Sequence, residues 1–410
     1  MQIVFGMETI VTDHHEPLEE LPNAIAVIDP KISSSKYPFN QLAGVGVVFK
    51  LIQAISITMG VAEKEYLKYL DLVCVGTISD IVPLVDENRV IAKLGLRLVK
   101  MTKNLGLKRL IEVVGYEKVD SNTISFGIAP RVNACGRMGH EEEALELFLS
   151  KNIDEVNKLT ENLNKYNKER QETEKKIVQE ALEEIEKNDE SKMPVVVLAG
   201  EKWHHGVIGI VSSKITETYF KPSILLSLEN GIAKGSGRSI PGFDLHEALC
   251  ECSNYLEKYG GHEMAVGLSL KEEKVNDFRK AIIQYAEKMK INEIIPIIYI
   301  DKQIDGKELE LKIVKELEML EPFGEANKRP LFVYKNLRID SIRALTEGKH
   351  LKLTLRDENK IIDAIGFNMG NLANEYTIGD RIDVVGTLEL NNFNGKEKIQ
   401  INLKDIMKSI

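Results

Sequence analysis

The sequence predicts an α/β protein in several parts: a parallel sheet flanked by helices, a long connecting helix, a second α/β unit and a small antiparallel β-barrel. Three observations predict it. Short β-rich runs alternate with helical stretches up to about residue 150, an unbroken polar amphipathic stretch follows, and after Pro296 the pattern becomes short alternating strands. With 410 residues and 43% hydrophobic content, the chain can build about two to four domains with sizeable cores.

Thr9-Ile10-Val11-Thr12 reads as a buried strand with polar residues at its carboxyl end, and Ala24-Ile25-Ala26-Val27-Ile28 as a strand closed by Asp29-Pro30. Val45 to Thr58 has the length and periodicity of a buried helix, Lys64 to Leu72 begins another, and Leu94 to Lys100 a third. Ligand chemistry in such a unit belongs at the carboxyl ends of the strands. From Asn152 to about Asp189, apolar residues at Ile153, Val156, Leu159, Leu163, Tyr166, Ile177 and Ile185 fall on one stripe. That is one long solvated helix with a packed face, preferred over an oligomerising coiled coil.

Pro194 to Gly200 opens the second α/β unit, which includes the strand Ile224 to Leu228 and runs to about Lys290. Strands at 331–334, 351–355, 361–367, 381–388 and 398–403, with turn signals such as Asn394-Gly395, fit an OB-type barrel. The expected domains are 1–150, 151–190 (the connecting helix), 191–292 and 293–410.

Lys and Arg number 54 against 63 Asp and Glu, a net charge of −9. This excludes a chain coated in positive charge but leaves room for a local basic groove. Four cysteines make neither a disulfide framework nor a paired zinc motif, so a reducing cytoplasm is expected. Met1-Gln2-Ile3-Val4-Phe5-Gly6 carries no basic targeting region, and no apolar stretch reaches the ~18 residues of a membrane span.

Asp13-His14-His15 follows a strand and can aim a carboxylate and an imidazole at one point, chemistry that suits Mn²⁺, Mg²⁺ or Zn²⁺; the alternative is an exposed turn. Asp80, after the glycine turn of Gly76-Thr77-Ile78-Ser79, is a helix N-cap or a metal ligand. Arg131, Asn133 and Arg137 lie in a Pro- and Gly-bounded segment, where guanidinium groups can hold phosphate or simply pair at the surface. Trp203-His204-His205-Gly206 leads into a helix whose first N–H groups can hold an anion. Gly235-Ser236-Gly237-Arg238-Ser239 sets small residues around one arginine, and Gly260-Gly261-His262 offers an imidazole on a tight turn; the glycines could equally serve turns alone. Barrel candidates for a single strand are Phe323, Arg329, Arg343, Lys349, His350, Lys352, Phe393 and Lys396.

In this order, and with Glu321-Pro322-Phe323-Gly324-Glu325-Ala326-Asn327 before the barrel, the motifs resemble the DHH phosphoesterase superfamily, and within it the RecJ family of single-strand-specific exonucleases. The likeness runs along the whole chain. It implies a DHH domain, a DHH-associated domain and an OB-fold, and a nuclease using two Mn²⁺ or Mg²⁺ ions to degrade single-stranded DNA from its 5′ end in recombination and repair. It further implies that Asp13, His14 and Asp80 bind metal and that His15 lies beside the scissile phosphate as a catalytic residue. Arg131, Asn133, Arg137, His204, His205, Ser236, Arg238, Ser239 and His262 would contact the strand and its phosphates. The implied partners are single-stranded DNA and a helicase or single-strand-binding protein, with no membrane.

One departure sets a further expectation. The family also carries an Asp-x-Asp loop on an early strand and another strand-end Asp before the D-H-H triplet, and this sequence contains no Asp-x-Asp. The expectation is a chain that starts inside its first domain, with an incomplete two-metal site, apolar surface left bare by missing strands, and impaired nuclease activity. The alternative is a non-catalytic module that binds single strands or docks a partner.

Overall fold

The computed structural model describes residues 7–17, 20–358, 360–393 and 396–409, without the side chains of 392, 393 and 396. Asn394-Gly395 and the side chains of Phe393 and Lys396 therefore lie outside the described residues. Two compact units emerge, one formed by residues 1–102, 116–125 and 298–410, the other by 103–115 and 126–297.

In the first unit, β1 (Ile10–Thr12) and β2 (Ala26–Ile28) pair in parallel, with Val11 opposite Val27. The expected parallel sheet thus comprises two strands among the described residues. Helices follow as α1 (Gly44–Thr58), α2 (Lys64–Leu67), α3 (Leu70–Ser79) and α4 (Asp86–Val99). They pack around Leu42, Val47, Phe49, Tyr66, Leu70, Val73 and Ile91. Gly76 makes no turn. It lies inside α3, where an added Cβ would stand 2.6 Å from Val45 Cγ1, so its missing side chain lets α1 and α3 approach.

The barrel of this unit alternates inward apolar and outward polar residues, as Leu351, Leu353 and Leu355 do against Lys352, Thr354 and Arg356. Its strands are β9 (Phe332–Leu345), β10 (His350–Asp357), β11 (Lys360–Gly366), β12 (Arg381–Phe393) and β13 (Lys396–Lys408). They close in the order β9-β10-β11-β13-β12 and back to β9, as expected of an OB-type barrel. A short strand β8 (Lys302–Ile304), not foreseen from the sequence, pairs with β9 in parallel.

In the second unit, α5 (Leu105–Val114) is capped by the Asn104 side chain, which accepts from Leu107 N, and ends at left-handed Gly115. After α6 (Ala129–Met138) and α7 (Glu141–Leu149) comes α8 (Ile153–Lys187), the expected long helix, capped by Asn152. Val156, Leu159, Leu163, Ile177 and Ile185 are buried as the stripe predicts, while Ile153 stays exposed. Between Tyr166, which is half-buried, and Ile177 the stripe is polar. Glu174, buried there, pairs with Arg170 of the same helix and with Lys214.

The sheet of this unit runs β3-β4-β5-β7-β6, with β3 (Val196–Glu201) and β4 (Ser223–Glu229) parallel and the rest antiparallel. One face, carrying Ile224, Leu226, Ala233, Leu268 and Leu270, packs on α10 (Leu245–Glu251) and α11 (Val275–Lys288) around Phe278. The other face carries Val196, Leu198 and Leu225, covered by the end of α8 and by α9 (His205–Tyr219). Beyond β4 this second face becomes polar and glycine-rich: Ser236 and Arg238 on β5 (Ile232–Arg238), Gly267 on β7 (Ala265–Lys271), and Gly260 and His262 on β6 (Lys258–His262). The glycine-rich segments are strands rather than turns, and His262 ends a strand. Among the described residues, no helix is long and apolar enough to cross a membrane.

Candidate functional site

Three clusters carry chemistry, and the first stands at the carboxyl end of β1. Asp13 N donates to the Ile28 carbonyl at 3.1 Å, which continues the strand pairing and releases the next residues from the sheet. The Asp13 carboxylate then folds back, accepting from His14 N at 2.7 Å, His15 N at 3.2 Å and His15 Nδ1 at 2.7 Å. These bonds, the His15 side chain first, hold its carboxyl down at about 2. A carboxylate only accepts, so His15 Nδ1 carries the proton and Nε2 faces outward, on a side chain 73% exposed.

His14 turns the other way, its Nε2 3.4 Å from Asp80 Oδ2. The Gly44 position, at the start of α1, allows this, since a Cβ there would be 3.2 Å from His14 Cδ2. Asp80 itself is the C-cap of α3, which overturns the N-cap reading: the helix runs up to it and does not start from it. Ile81, the next residue, sits at φ 58 and is 72% exposed. A β-branched residue in the left-handed region is strained by roughly 1–3 kcal/mol.

His14 and Asp80 fit a divalent cation as a pair, because two donors at about 2.1 Å from one ion stand roughly 3.0–3.4 Å apart. Asp13 is not brought to that point. Oδ1 takes all of its bonds to His14, His15 and the turn, and no group of three or more His, Cys, Asp or Glu converges among the described residues.

The second cluster is a cleft of about 710 Å³ in the second unit, with Asn133, Gly136, Arg137, His205, Gly206, Gly209, Ser236, Arg238 and Gly267 in its lining. Pro130 suits the first turn of α6, which carries Asn133 and Arg137 into the wall, and left-handed Gly139 ends that helix. Arg137 Nη1 donates to the Gly206 carbonyl at 2.9 Å, while Arg238 Nη1 donates to Gly237 O at 2.8 Å and Ser236 Oγ at 3.3 Å. Gly209 is bare for a reason: its Cβ would stand 2.9 Å from Ser236 Oγ and 3.4 Å from Arg238 Nη2. Burial lowers the pKa of both guanidinium groups, and Arg137 adds to the effect at Arg238. Two cations desolvated side by side near the start of α9 are the chemistry that suits an anion.

Four expected residues are placed elsewhere. Arg131 turns to the segment just before its helix and to α8, donating from Nη1 to Gly127 O and from Nε to Asn164 Oδ1, each at 2.6 Å. His204 caps α9, its Nδ1 accepting from Gly206 N at 3.2 Å. Ser239 is buried, its hydroxyl donating to the Phe243 carbonyl at 2.6 Å. His262 shares the sheet face and the register row of Arg238, both opposite Ala265, but lies two strands away, roughly 10 Å, outside the lining. Glu141 and Gly267 line the cleft without having been singled out. Neither carries a sequence motif; Gly267 reaches the cleft through its pairing with Ser236 and Gly260.

The third cluster lies on the barrel. Arg338 and Arg356 oppose each other across β9 and β10 but share Asp340, at 2.9 and 2.5 Å. Arg343 and Lys352 also oppose each other, with no acidic partner among the described residues. Like charges placed so are destabilising unless an anion joins them. Among the other candidates, Arg329 covers the Phe323 ring at 4.4 Å and His350 meets Phe367 edge-on at 5.3 Å.

Family models match in three stretches: DHH family, N-terminal domain, at residues 2–77; DHHA1 domain at 192–288; and RecJ OB domain at 300–405. The single-stranded-DNA-specific exonuclease RecJ of Bacillus subtilis (strain 168) is 40% identical over 98% of this chain and 51% of its own length. The protein of the same name from Dickeya dadantii (strain 3937) is 32% identical, over 98% of this chain and 73% of its own. The crystal structure of RecJ in complex with Mn²⁺ from Thermus thermophilus superposes with a TM-score of 0.86 at 31% identity, over 99% of this chain and 59% of that one. Its complex with Mg²⁺ gives 0.85 at 30% identity, over 99% and 60%. The chain thus spans about half the length of the Bacillus relative.

Proposed function

This chain belongs to the RecJ family, and we propose that it hydrolyses single-stranded DNA from the 5′ end with a divalent cation, in recombination and repair. The observation that carries the reading is the pairing of His14 Nε2 with Asp80 Oδ2 at 3.4 Å beside an exposed His15. His14 and Asp80 would hold Mn²⁺ or Mg²⁺, which supplies charge for the phosphate oxygens and a hydroxide near neutral pH. Asp13 fixes the His15 tautomer, so Nε2 can accept a proton from the attacking water or, once protonated, donate to a phosphate oxygen. Arg137 and Arg238 hold the strand through phosphate charge, without reading its bases. An imidazole and one carboxylate leave half of the +2 charge uncompensated, so with this pair alone cation affinity and turnover are low.

The test is release of nucleotides from 5′-labelled single strands by the purified chain in Mn²⁺. Slow, metal-dependent release lost in Asp80→Ala is expected; release unaffected by chelator or by Asp80→Ala sinks the reading.

A second reading, single-strand binding or partner docking without catalysis, is favoured by the two-arginine cleft, which needs no cation. It predicts salt-sensitive binding in chelator. Anisotropy unchanged between about 50 and 300 mM salt, a range over which a charge-driven complex weakens steeply, would exclude it.

A further inference from the structure

Asp80 ends α3, where its N–H donates to the Gly76 carbonyl at 3.0 Å, and the backbone that leaves it is strained at the exposed Ile81. The path from Asp80 to α4 is also held from its far end. Two contacts do so. Asn88, fully buried, donates from Nδ2 to the Pro83 carbonyl at 3.0 Å. Leu84 N donates to the Glu325 carbonyl at 2.7 Å, and the buried Leu84 side chain lies over Gly324, where a Cβ would come within 2.6 Å of Leu84 Cδ1.

The turn that supplies Gly324 and Glu325 is firmly built. Gly324 and Asn327 exchange backbone hydrogen bonds at 3.1 and 3.2 Å, and Asn327 Nδ2 donates to the Leu320 and Pro322 carbonyls at 3.1 and 2.8 Å. Arg89, on the helix that begins just after Leu84, donates from Nη2 to the Leu320 carbonyl at 2.7 Å. Lys118 and Arg329 both reach Glu321, at 3.1 and 3.4 Å.

We propose that the turn Glu321–Asn327 is a positioning device for Asp80, acting through Gly324 and the Glu325 carbonyl on Leu84. The segment that leads into the barrel then sets the carboxylate against His14 and tunes the hold on a cation. The inference rests on the reading of His14 and Asp80 as cation donors. It also accounts for the reach of Arg89, on α4, to the Leu320 and Pro322 carbonyls.

The experiment titrates Mn²⁺ alone into the full chain, with bound and free ion counted by electron paramagnetic resonance, for Asp80→Ala, Gly324→Val, Arg89→Met and Arg89→Lys. Amide hydrogen exchange at Ile81 and Leu84 is followed without metal. Gly324→Val and Arg89→Met should each weaken Mn²⁺ binding by roughly ten-fold, the scale of losing a group that orients a ligand, and speed exchange at Leu84. Arg89→Lys should restore part of the affinity, and single-strand binding in chelator should stay unchanged. A turn that merely glues the unit together would lower the melting temperature and leave Mn²⁺ affinity intact. Mn²⁺ binding weakened by Asp80→Ala but not by Gly324→Val or Arg89→Met overturns the proposal. Binding unaffected by Asp80→Ala overturns the cation-site reading beneath it. Should Gly324→Val not fold, Arg89→Met decides.

Discussion

Arg137 Nη1 donates to the Gly206 carbonyl at 2.9 Å, and the Cβ that Gly206 lacks would stand 2.5 Å from the Arg137 carbonyl oxygen, so α6 and the first turn of α9 meet backbone to backbone. Gly206→Ala must push them apart. We expect a loss of about 1–3 kcal/mol in denaturant unfolding together with weaker oligonucleotide binding. Gly136→Ala is the contrast: its Cβ meets nothing within 4 Å, and the change should be neutral or stabilising by up to about 1 kcal/mol.

Arg238 and Arg131 should separate binding from stability. Removing the charged group of Arg238 is expected to cost about 1.5–3 kcal/mol of single-strand affinity, roughly 10- to 150-fold, with little change in unfolding. Arg131→Ala should do the reverse, because its bonds go to Gly127 O and Asn164 Oδ1. Equal binding losses in the two variants, measured by anisotropy in chelator, would refute this division of roles.

On the barrel, one like-charged cross-strand pair, Arg338 and Arg356, has an acid between its members and the other, Arg343 and Lys352, has none among the described residues. If Arg343 and Lys352 meet the phosphates, replacing either by Ala should reduce the salt slope of binding by about 1. Arg356→Ala, which breaks the tie to Asp340, should leave that slope in place.

Glu190 supplies a pH signature. Burial raises the carboxyl pKa of Glu190 and of Glu184, an effect Arg279 only partly offsets, and Glu190 Oε2 lacks a partner among the described residues. With the folded pKa above the unfolded value of about 4.3, the group stabilises the fold below that value and loses this as pH rises through the folded pKa. Glu190→Gln should therefore be more stable than the parent at neutral pH, by about 1 kcal/mol, and its advantage should shrink as the pH is lowered. Thermal melts of the two proteins across that range are the check; an advantage that grows toward acid pH would contradict the sign.

What the sequence determined by itself was whatever depends on local periodicity and order. The alternation Leu351, Leu353, Leu355 placed a strand, the stripe from Val156 to Ile185 placed a helix, and the succession of motifs pointed to a family. The site was legible only as a set of residue types. Tertiary structure decided which of them meet, because side-chain direction follows from partners distant in the chain. Register on one sheet face carried Arg238 and Ser236 to the cleft but left His262 two strands away, and a hydroxyl at Ser239 was consumed by Phe243. A glycine that reads as a turn became the interior of α3 because Val45 packs there, which made Asp80 the end of a helix. The hold of Glu325 on Leu84 had no local signature at all, since a backbone hydrogen bond between remote segments leaves no mark in either one's sequence.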